Sequence, residues 1–413
     1  MDRVVLHSDL NNFYASVECL YRPEIRNKPV AVCGDPEQRH GIVLAKNYLA
    51  KAHGIQTGEA IWQAAQKCPG LIVVPPNFPL YLQYSRLARQ IYADYTDQIE
   101  PFGLDEAWLD VTASTGLFGS GEKIADDIRQ RIREEMGVTV SVGVSWNKIF
   151  SKLGSDLKKP DATTVISREN YQQVVWPLLS KELLYVGPAT QKKLYYHGIN
   201  TIGDIGRTTP QYLRRILGKW GEFIWHFANG YDESPVTRTG EEAVIKSIGN
   251  SATTPRDLVS DDDVDLLLYA LSESVAMRLR ESGLECRVVE ISVRDNSLYS
   301  FVRQQKQPRR TNLASEIHDA AMGIFRANYR WERAIRSIGV RGSDLIPAHS
   351  DLQLSLFDDE MRRQKLVRLE SAMDDVRRRF GNLSVRRALM LTDQRLGALN
   401  PKDDHIIHPI GYF

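Results

Sequence analysis

Within FGLDEAWLDV (102–111) two neighbouring carboxylates, Asp105 and Glu106, sit in a run that otherwise reads as apolar strand. Successive side chains of a regular strand point to opposite faces, so the pair serves one site only if the backbone turns or bulges between them. Gly103 makes such a turn available. A third acid, Asp9, ends the apolar strand RVVLHSDL. If the three converge, each like-charged pair about 4 Å apart repels by roughly 4 kcal/mol at an effective dielectric near 20, and the site demands cations. Oxygen ligands without histidine or cysteine favour Mg²⁺ over zinc. Two such ions, about 3.5–4 Å apart, form a clamp for in-line displacement at phosphorus. Lysines that could meet a triphosphate gather in two segments. Lys46 and Lys51 flank Tyr48 in AKNYLAK, and Lys148, Lys152, Lys158 and Lys159 punctuate NKIFSKLGSDLKKP. Each is a compact point charge that neutralises phosphate without fixed bidentate geometry. Taken singly, the acids also fit a solvated hairpin tip and the lysines a solvated surface, so their joint presence carries the inference.

The elements that must position these groups follow from periodicity. LNNFYASVECLY reads as a helix, KPVAVCG as a strand, GIVLAKNYLAKAHG as strand into helix, and LIVVPP as a strand. YLQYSRLARQIYADYTDQI is a long amphipathic helix leading into the hairpin IEPFGLDEAWLDVT. GEKIADDIRQRIREEMG is helical, VTVSVGVS alternates as a strand, and NKIFSKLGSDL returns to helix. The sum is an α/β layer of mixed helices and strands. From about 170 to 238 strand signals vanish, and Gly187 and Gly198 hinge two short helices in the manner of a helix-hairpin-helix. Backbone N–H groups at such a turn can hold a nucleic-acid phosphate. Beyond TRTGEEAV the pattern is β-α-β-β-α-β, a sheet with helices on one face. The other face is expected to carry the basic residues of RQQKQPRR (303–310) with Arg326, Arg330, Arg333, Arg336 and Arg341, among which Phe325, Tyr329 and Trp331 are interleaved. A charged helix, EMRRQKLVRLESAMDDVRRRF, lies in the tail from Ile346 onward.

The 413 residues suit about three domains, and 42% apolar with 25% charged residues is the composition of an ordinary soluble protein. No run approaches the roughly 18 apolar residues of a membrane span, so a cytoplasmic protein without membrane contact is expected. Cys19, Cys33, Cys68 and Cys286 form no CxxC pair, which suggests neither disulfides nor structural zinc. The net charge of +1 hides segregation, because the basic residues concentrate near 303–341 while acids gather in SDDDVD (260–265). A basic stretch of this kind suits a polyanion.

Four segments, SDLNNFYASVE (8–18), AKNYLAKAHG (45–54), FGLDEAWLDV and SVGVSWNKIFSKLGSDLKKP (141–160), together resemble the Y-family translesion DNA polymerases, nearest to the bacterial DNA polymerase IV group. Order and spacing agree over residues 1 to about 345. The resemblance implies an α+β right hand: a palm over 1–168 with fingers inserted at about 11–77, a helical thumb over 169–240, a little finger over 241–345, and a C-terminal tail over 346–413. It implies that Asp9, Asp105 and Glu106, with the backbone carbonyl of Leu10, ligate two Mg²⁺ ions. Backbone amides around Asn12 and Phe13, the Tyr48 hydroxyl, Lys51 and Lys159 would hold the incoming dNTP, and Tyr14 matches the steric gate against a ribose 2′-hydroxyl. The implied activity is template-directed addition of dNTPs to primer-template DNA by a monomer, with low fidelity, no proofreading and bypass of damaged template bases. QLSLF matches the peptide by which bacterial polymerases dock on the sliding clamp (beta subunit), with Gln353 as polar anchor and Leu354, Leu356 and Phe357 as apolar contacts.

Departures from the family pattern leave the three acids intact. Lys51 stands where arginine is usual, Gly103-Leu104 replaces Ser-Ile, and Trp108 replaces a tyrosine. Ile42 and Leu44, expected over the nascent base pair, are bulky, so lesion preference does not carry over. Two other functions fit parts of the pattern: a cyclase acting on free nucleotides, and a non-catalytic, clamp-associated DNA-binding accessory protein with a decayed palm. The basic region and the helix-hairpin-helix oppose the first; intact Asp9, Asp105 and Glu106 oppose the second.

Overall fold

RVVLHSDL is apolar on both faces at its core, which suits a central strand covered on two sides, and the chain uses it so. The computed structural model describes residues 2–36, 41–241, 244–348 and 360–397. These build two compact units, the first from residues 2–34 and 42–241, the second from 244–348 and 360–397.

The strands of the first unit are β1 (Val5–Leu10), β2 (Val30–Cys33), β3 (Val43–Lys46), β4 (Ile72–Val74), β5 (Ile99–Pro101), β6 (Glu106–Asp110), β7 (Val140–Ser145) and β8 (Thr163–Val165). One sheet has the order β5-β6-β1-β7-β8, with β1 antiparallel to both β6 and β7 and buried along its whole length. A smaller sheet, β3-β2-β4, packs Ala31, Cys33 and Val43 against Ala50, Ile55, Ala64 and Cys68. The helix Lys148–Leu157 lies directly on the large sheet. Gly143 of β7 permits that contact, because a Cβ there would overlap the Ser151 carbonyl oxygen and the Ser155 amide. Gly143→Ala is therefore expected to cost about 3 kcal/mol or more through overpacking, read as a lower thermal midpoint; an unchanged midpoint would contradict this packing.

The stretch expected to be helical contains Tyr171–Val174, Pro188–Tyr196, Ile202–Arg207, Pro210–Leu217 and Lys219–Ala228. Gly187 caps the second of these and Gly198, at φ 72°, follows it. Leu194, Ile202, Leu213 and Ile224 from this stretch share one core with Trp146, Phe150 and Leu153. The stretch is thus fused through its core to the helix that covers the large sheet.

The second unit contains β9 (Ser247–Leu258), the helix Asp261–Glu281, β10 (Leu284–Asp295), β11 (Ser300–Thr311), the helix Ala314–Asn328 and β12 (Ile335–Pro347), in the order expected. Its sheet runs β11-β10-β12-β9, all antiparallel, with Leu267, Leu271, Val275, Ile317 and Phe325 of the two helices in its core.

Two expectations need correction here. The basic residues do not all collect on the free face of the sheet, although Lys306 and Arg341 do face it. Alternation along β11 sends Lys306 outward beside Val288, but places Arg303 opposite the buried Ile291. Arg310 is buried against Glu285 at 2.9 Å, Arg309 pairs with Glu360, Arg341 with Glu290, and Arg326 with Asp261 at 3.3 Å. Nor is 346–413 a separate tail throughout. Arg280 grips Glu370 at 2.6 Å and Asp374 at 2.7 Å, Arg377 meets Glu273 at 2.9 Å, and Met390 and Leu396 enter the hydrophobic core. Several charges of the helix Glu360–Phe380, among them Glu370, Asp374 and Arg377, are met by partners distant in sequence. Gln353, Leu354, Leu356 and Phe357 lie outside the described residues.

Candidate active site

The backbone does turn between Asp105 and Glu106. Gly103 adopts φ 96°, and Phe102 N donates to Glu106 O at 2.9 Å to close the turn. Glu106 then opens β6 directly opposite Asp9 of β1. Asp105 stays in the turn, where its carbonyl accepts from Leu10 N at 3.0 Å. The hairpin and the end of β1 thus bring all three acids to one end of the central strands.

Their electrostatics show the cost of this gathering. Burial, then the charges of Asp9 and Glu106, push Asp105 up to about 7. Asp9 is raised by burial and by Glu106, with Lys159 and Lys152 opposing. Lys159 Nζ lies 2.7 Å from Asp9 Oδ2 and 2.8 Å from Asp156 Oδ1. Lys152 Nζ lies 2.9 Å from Glu106 Oε1, 3.4 Å from Asp9 Oδ2 and 3.3 Å from Asp156 Oδ2. Burial works against both ammonium groups, yet the surrounding carboxylates outweigh it and raise their pKa.

Among the described residues no three acidic, histidine or cysteine groups stand in ready metal-holding geometry. Asp9 and Glu106 are instead paired with the ammonium groups of Lys152 and Lys159. The donor chemistry nevertheless fits hard divalent cations: buried carboxylates that repel one another and already recruit positive charge.

The remaining expected residues surround this cluster. Leu10 ends β1 beside Asp9. Asn12 sits in the left-handed region at φ 49°, ψ 38° and starts the helix Phe13–Tyr21, so the helix begins three residues later than the sequence pattern indicates. Its first amides are those a helix leaves unsatisfied. Tyr14 stacks on Tyr81 at 4.2 Å with 9° between ring planes, and Phe78 meets it edge-on at 6.1 Å. Burial, then the neighbouring Asp105 charge, push the Tyr14 phenol up to about 12. Tyr48 opens the helix Tyr48–Ala52, where Asn47 Oδ1 accepts from Ala50 N at 3.0 Å. Its phenol is raised by burial, while the Lys159 and Asp9 charges act on it in opposite directions. Lys51 is exposed, with its ammonium 5.6 Å from the Tyr48 ring centroid.

Not every lysine of the two segments reaches the acids. Lys148 bonds Glu100 at 2.5 Å, Lys46 bonds Thr57 at 2.8 Å, and Lys158 is exposed. Three groups beside the acids had been given no role. His7 lies two residues before Asp9 on the same face of β1, and Ser155 and Asp156 follow Lys152 by three and four positions on one helix. Strand and helix periods were the available signals.

Residues 8–156 match the impB/mucB/samB family model, and residues 245–356 match the model of that family's C-terminal domain. A DNA polymerase IV of Acetivibrio thermocellus is 54% identical over 97% of this chain and 100% of its own length. The chain belongs to the Y family of DNA polymerases, in the polymerase IV group. A DNA polymerase IV of Moorella thermoacetica is 37% identical over 95% of this chain and 97% of its own. A solved Y-family DNA polymerase chimera of Dbh and Dpo4 superposes with a TM-score of 0.73 at 26% identity, covering 83% of this chain and 99% of that one. This Y-family chain has all four cysteines free and buried, and none of its described helices is long and apolar enough to cross a membrane.

Proposed function

We propose that this Y-family protein adds dNTPs to the 3′ end of a primer on template DNA, by in-line displacement at the α-phosphorus, with Asp9, Asp105, Glu106 and the Leu10 carbonyl holding two Mg²⁺ ions. The observation that carries this reading is the convergence of three mutually repelling carboxylates with two lysines at one end of the central strands. When bound, the ions would lower the pKa of the primer hydroxyl and stabilise charge on the leaving pyrophosphate. Lys159, Tyr48, Lys51 and the amides of Asn12 and Phe13 bind and orient the triphosphate. With dNTP present, Lys159 exchanges its bond to Asp9 for one to phosphate. Tyr14, held flat by Tyr81, closes the sugar pocket to a 2′-hydroxyl.

In this reading residues 1–168 are palm with fingers at about 11–77, residues 169–240 thumb, and residues 241–345 little finger. The enzyme works as a cytoplasmic monomer, tolerates damaged template bases, and has no proofreading. Primer extension with Mg²⁺ and dNTPs tests the chemistry. Docking of Gln353, Leu354, Leu356 and Phe357 on a sliding clamp would supply processivity. Two apolar anchors worth about 2 kcal/mol each predict that deleting Leu356 and Phe357 weakens clamp binding by roughly 10³-fold and leaves basal extension unchanged. Equal clamp stimulation before and after the deletion excludes this docking.

A further inference from the structure

His7 is buried at 0% exposure, and its ring stands between two groups of the site. Nδ1 lies 2.8 Å from Ser155 Oγ, and Nε2 lies 3.5 Å from Glu106 Oε2. Trp108 meets the ring edge-on at 5.1 Å and holds it from the side. His7 Nε2 and Glu106 Oε2 are both buried atoms without a hydrogen-bond partner as placed. Leaving such an atom unpaired is destabilising.

Proton placement decides whether the two atoms can satisfy each other. A neutral imidazole carries one N–H, and the groups around the ring decide which nitrogen holds it. If that proton is on Nδ1, it goes to Ser155 Oγ, whose own hydroxyl turns to Lys152 O at 2.7 Å. Nε2 would then present a lone pair to a carboxylate oxygen, leaving two buried acceptors face to face. If the proton is on Nε2, Ser155 turns its one hydroxyl proton from Lys152 O to Nδ1, and the ring donates to Glu106 Oε2. Only this second arrangement gives both atoms a partner. Glu106 then has one oxygen turned inward to His7, while Oε1 faces Lys152 at 2.9 Å on the cation side.

We propose that His7, braced by Ser155 and Trp108, is the positioning residue that fixes Glu106 with Oε1 presented to the cations. The inference rests on the two-ion reading of Asp9, Asp105 and Glu106. Metal-ligating carboxylates are commonly held by such outer hydrogen bonds, and losing one weakens metal binding by about 10–100-fold.

The test is Mn²⁺ binding, followed by electron paramagnetic resonance, to the full chain on primer-template with a dideoxy-terminated primer and dNTP, so that no turnover occurs. His7→Phe keeps the ring against Trp108 and removes the N–H; it is expected to weaken Mn²⁺ binding by about 10–100-fold with DNA affinity unchanged. His7→Gln, which returns an N–H near the Nε2 position, is expected to restore most of the affinity. Ser155→Ala leaves the ring in place and is expected to give a smaller loss; it carries the test if His7→Phe does not fold. Wild-type Mn²⁺ affinity in both His7→Phe and Ser155→Ala, or His7→Gln no better than His7→Phe, would overturn the role of His7 alone. Absence of Mn²⁺ binding by the wild type, or its full retention in Asp105→Ala, would overturn the two-ion reading itself and this role with it.

Discussion

Asp105→Ala is expected to lower single-nucleotide incorporation by about 10³-fold or more while primer-template binding stays near wild type. Asp105 sits in the turn before β6, where burial and the charges of Asp9 and Glu106 already raise it to about 7. Such strained acids persist at a cost to stability, which points to a role in chemistry. A cation cradle supplies several kcal/mol of transition-state stabilisation, and each 1.4 kcal/mol, roughly, is tenfold in rate. Alanine also removes a repelling charge from beside Asp9 and Glu106. The variant is therefore expected to unfold in EDTA no earlier than wild type, which separates lost chemistry from lost fold. Incorporation kinetics alongside a DNA-binding titration check both halves, and full extension by the variant would remove Asp105 from the mechanism.

The second large effect is on sugar selection. Tyr14 is anchored by a stack on Tyr81, whose hydroxyl donates to the buried Glu18 at 2.6 Å. The ring therefore cannot swing aside cheaply to admit a 2′-hydroxyl. Forcing extra atoms into a packed site costs about 1–3 kcal/mol, so Tyr14→Ala should reduce dNTP-over-rNTP selectivity by roughly 10–100-fold. Competing incorporation of a dNTP and its ribonucleotide gives the ratio directly. Selectivity equal to wild type would reject Tyr14 as the gate.

Much of this was legible in sequence because the decisive features are local. Gly103 announced the turn that separates Asp105 from Glu106, and the alternation of VTVSVGVS announced β7. The start of the helix at Phe13 was misjudged because Asn12 adopts a left-handed conformation that apolar periodicity does not register. What stayed hidden depends on partners far apart in the chain. A lone histidine in an apolar strand reads as core, and only the return of Ser155 onto it across 148 positions reveals His7 beside Glu106. Lys148 and Lys152 look equivalent in NKIFSKLGSDL, yet Glu100 captures the first while the acids of the site hold the second. The packing of the charged helix Glu360–Phe380 is invisible locally because Arg280, Glu273 and Glu285, which pair with its Glu370, Arg377 and Arg363, lie about 75 to 105 positions upstream.

A working polymerase site at Asp9, Asp105 and Glu106 is the proposal on which the other roles depend. Primer extension by the purified chain on an undamaged primer-template, with dNTPs and with Mg²⁺ or EDTA, tests it most directly. Short-patch extension that requires Mg²⁺ and disappears in Asp105→Ala is the expected result. No extension by a chain that demonstrably binds the primer-template would contradict it and favour a DNA-binding accessory.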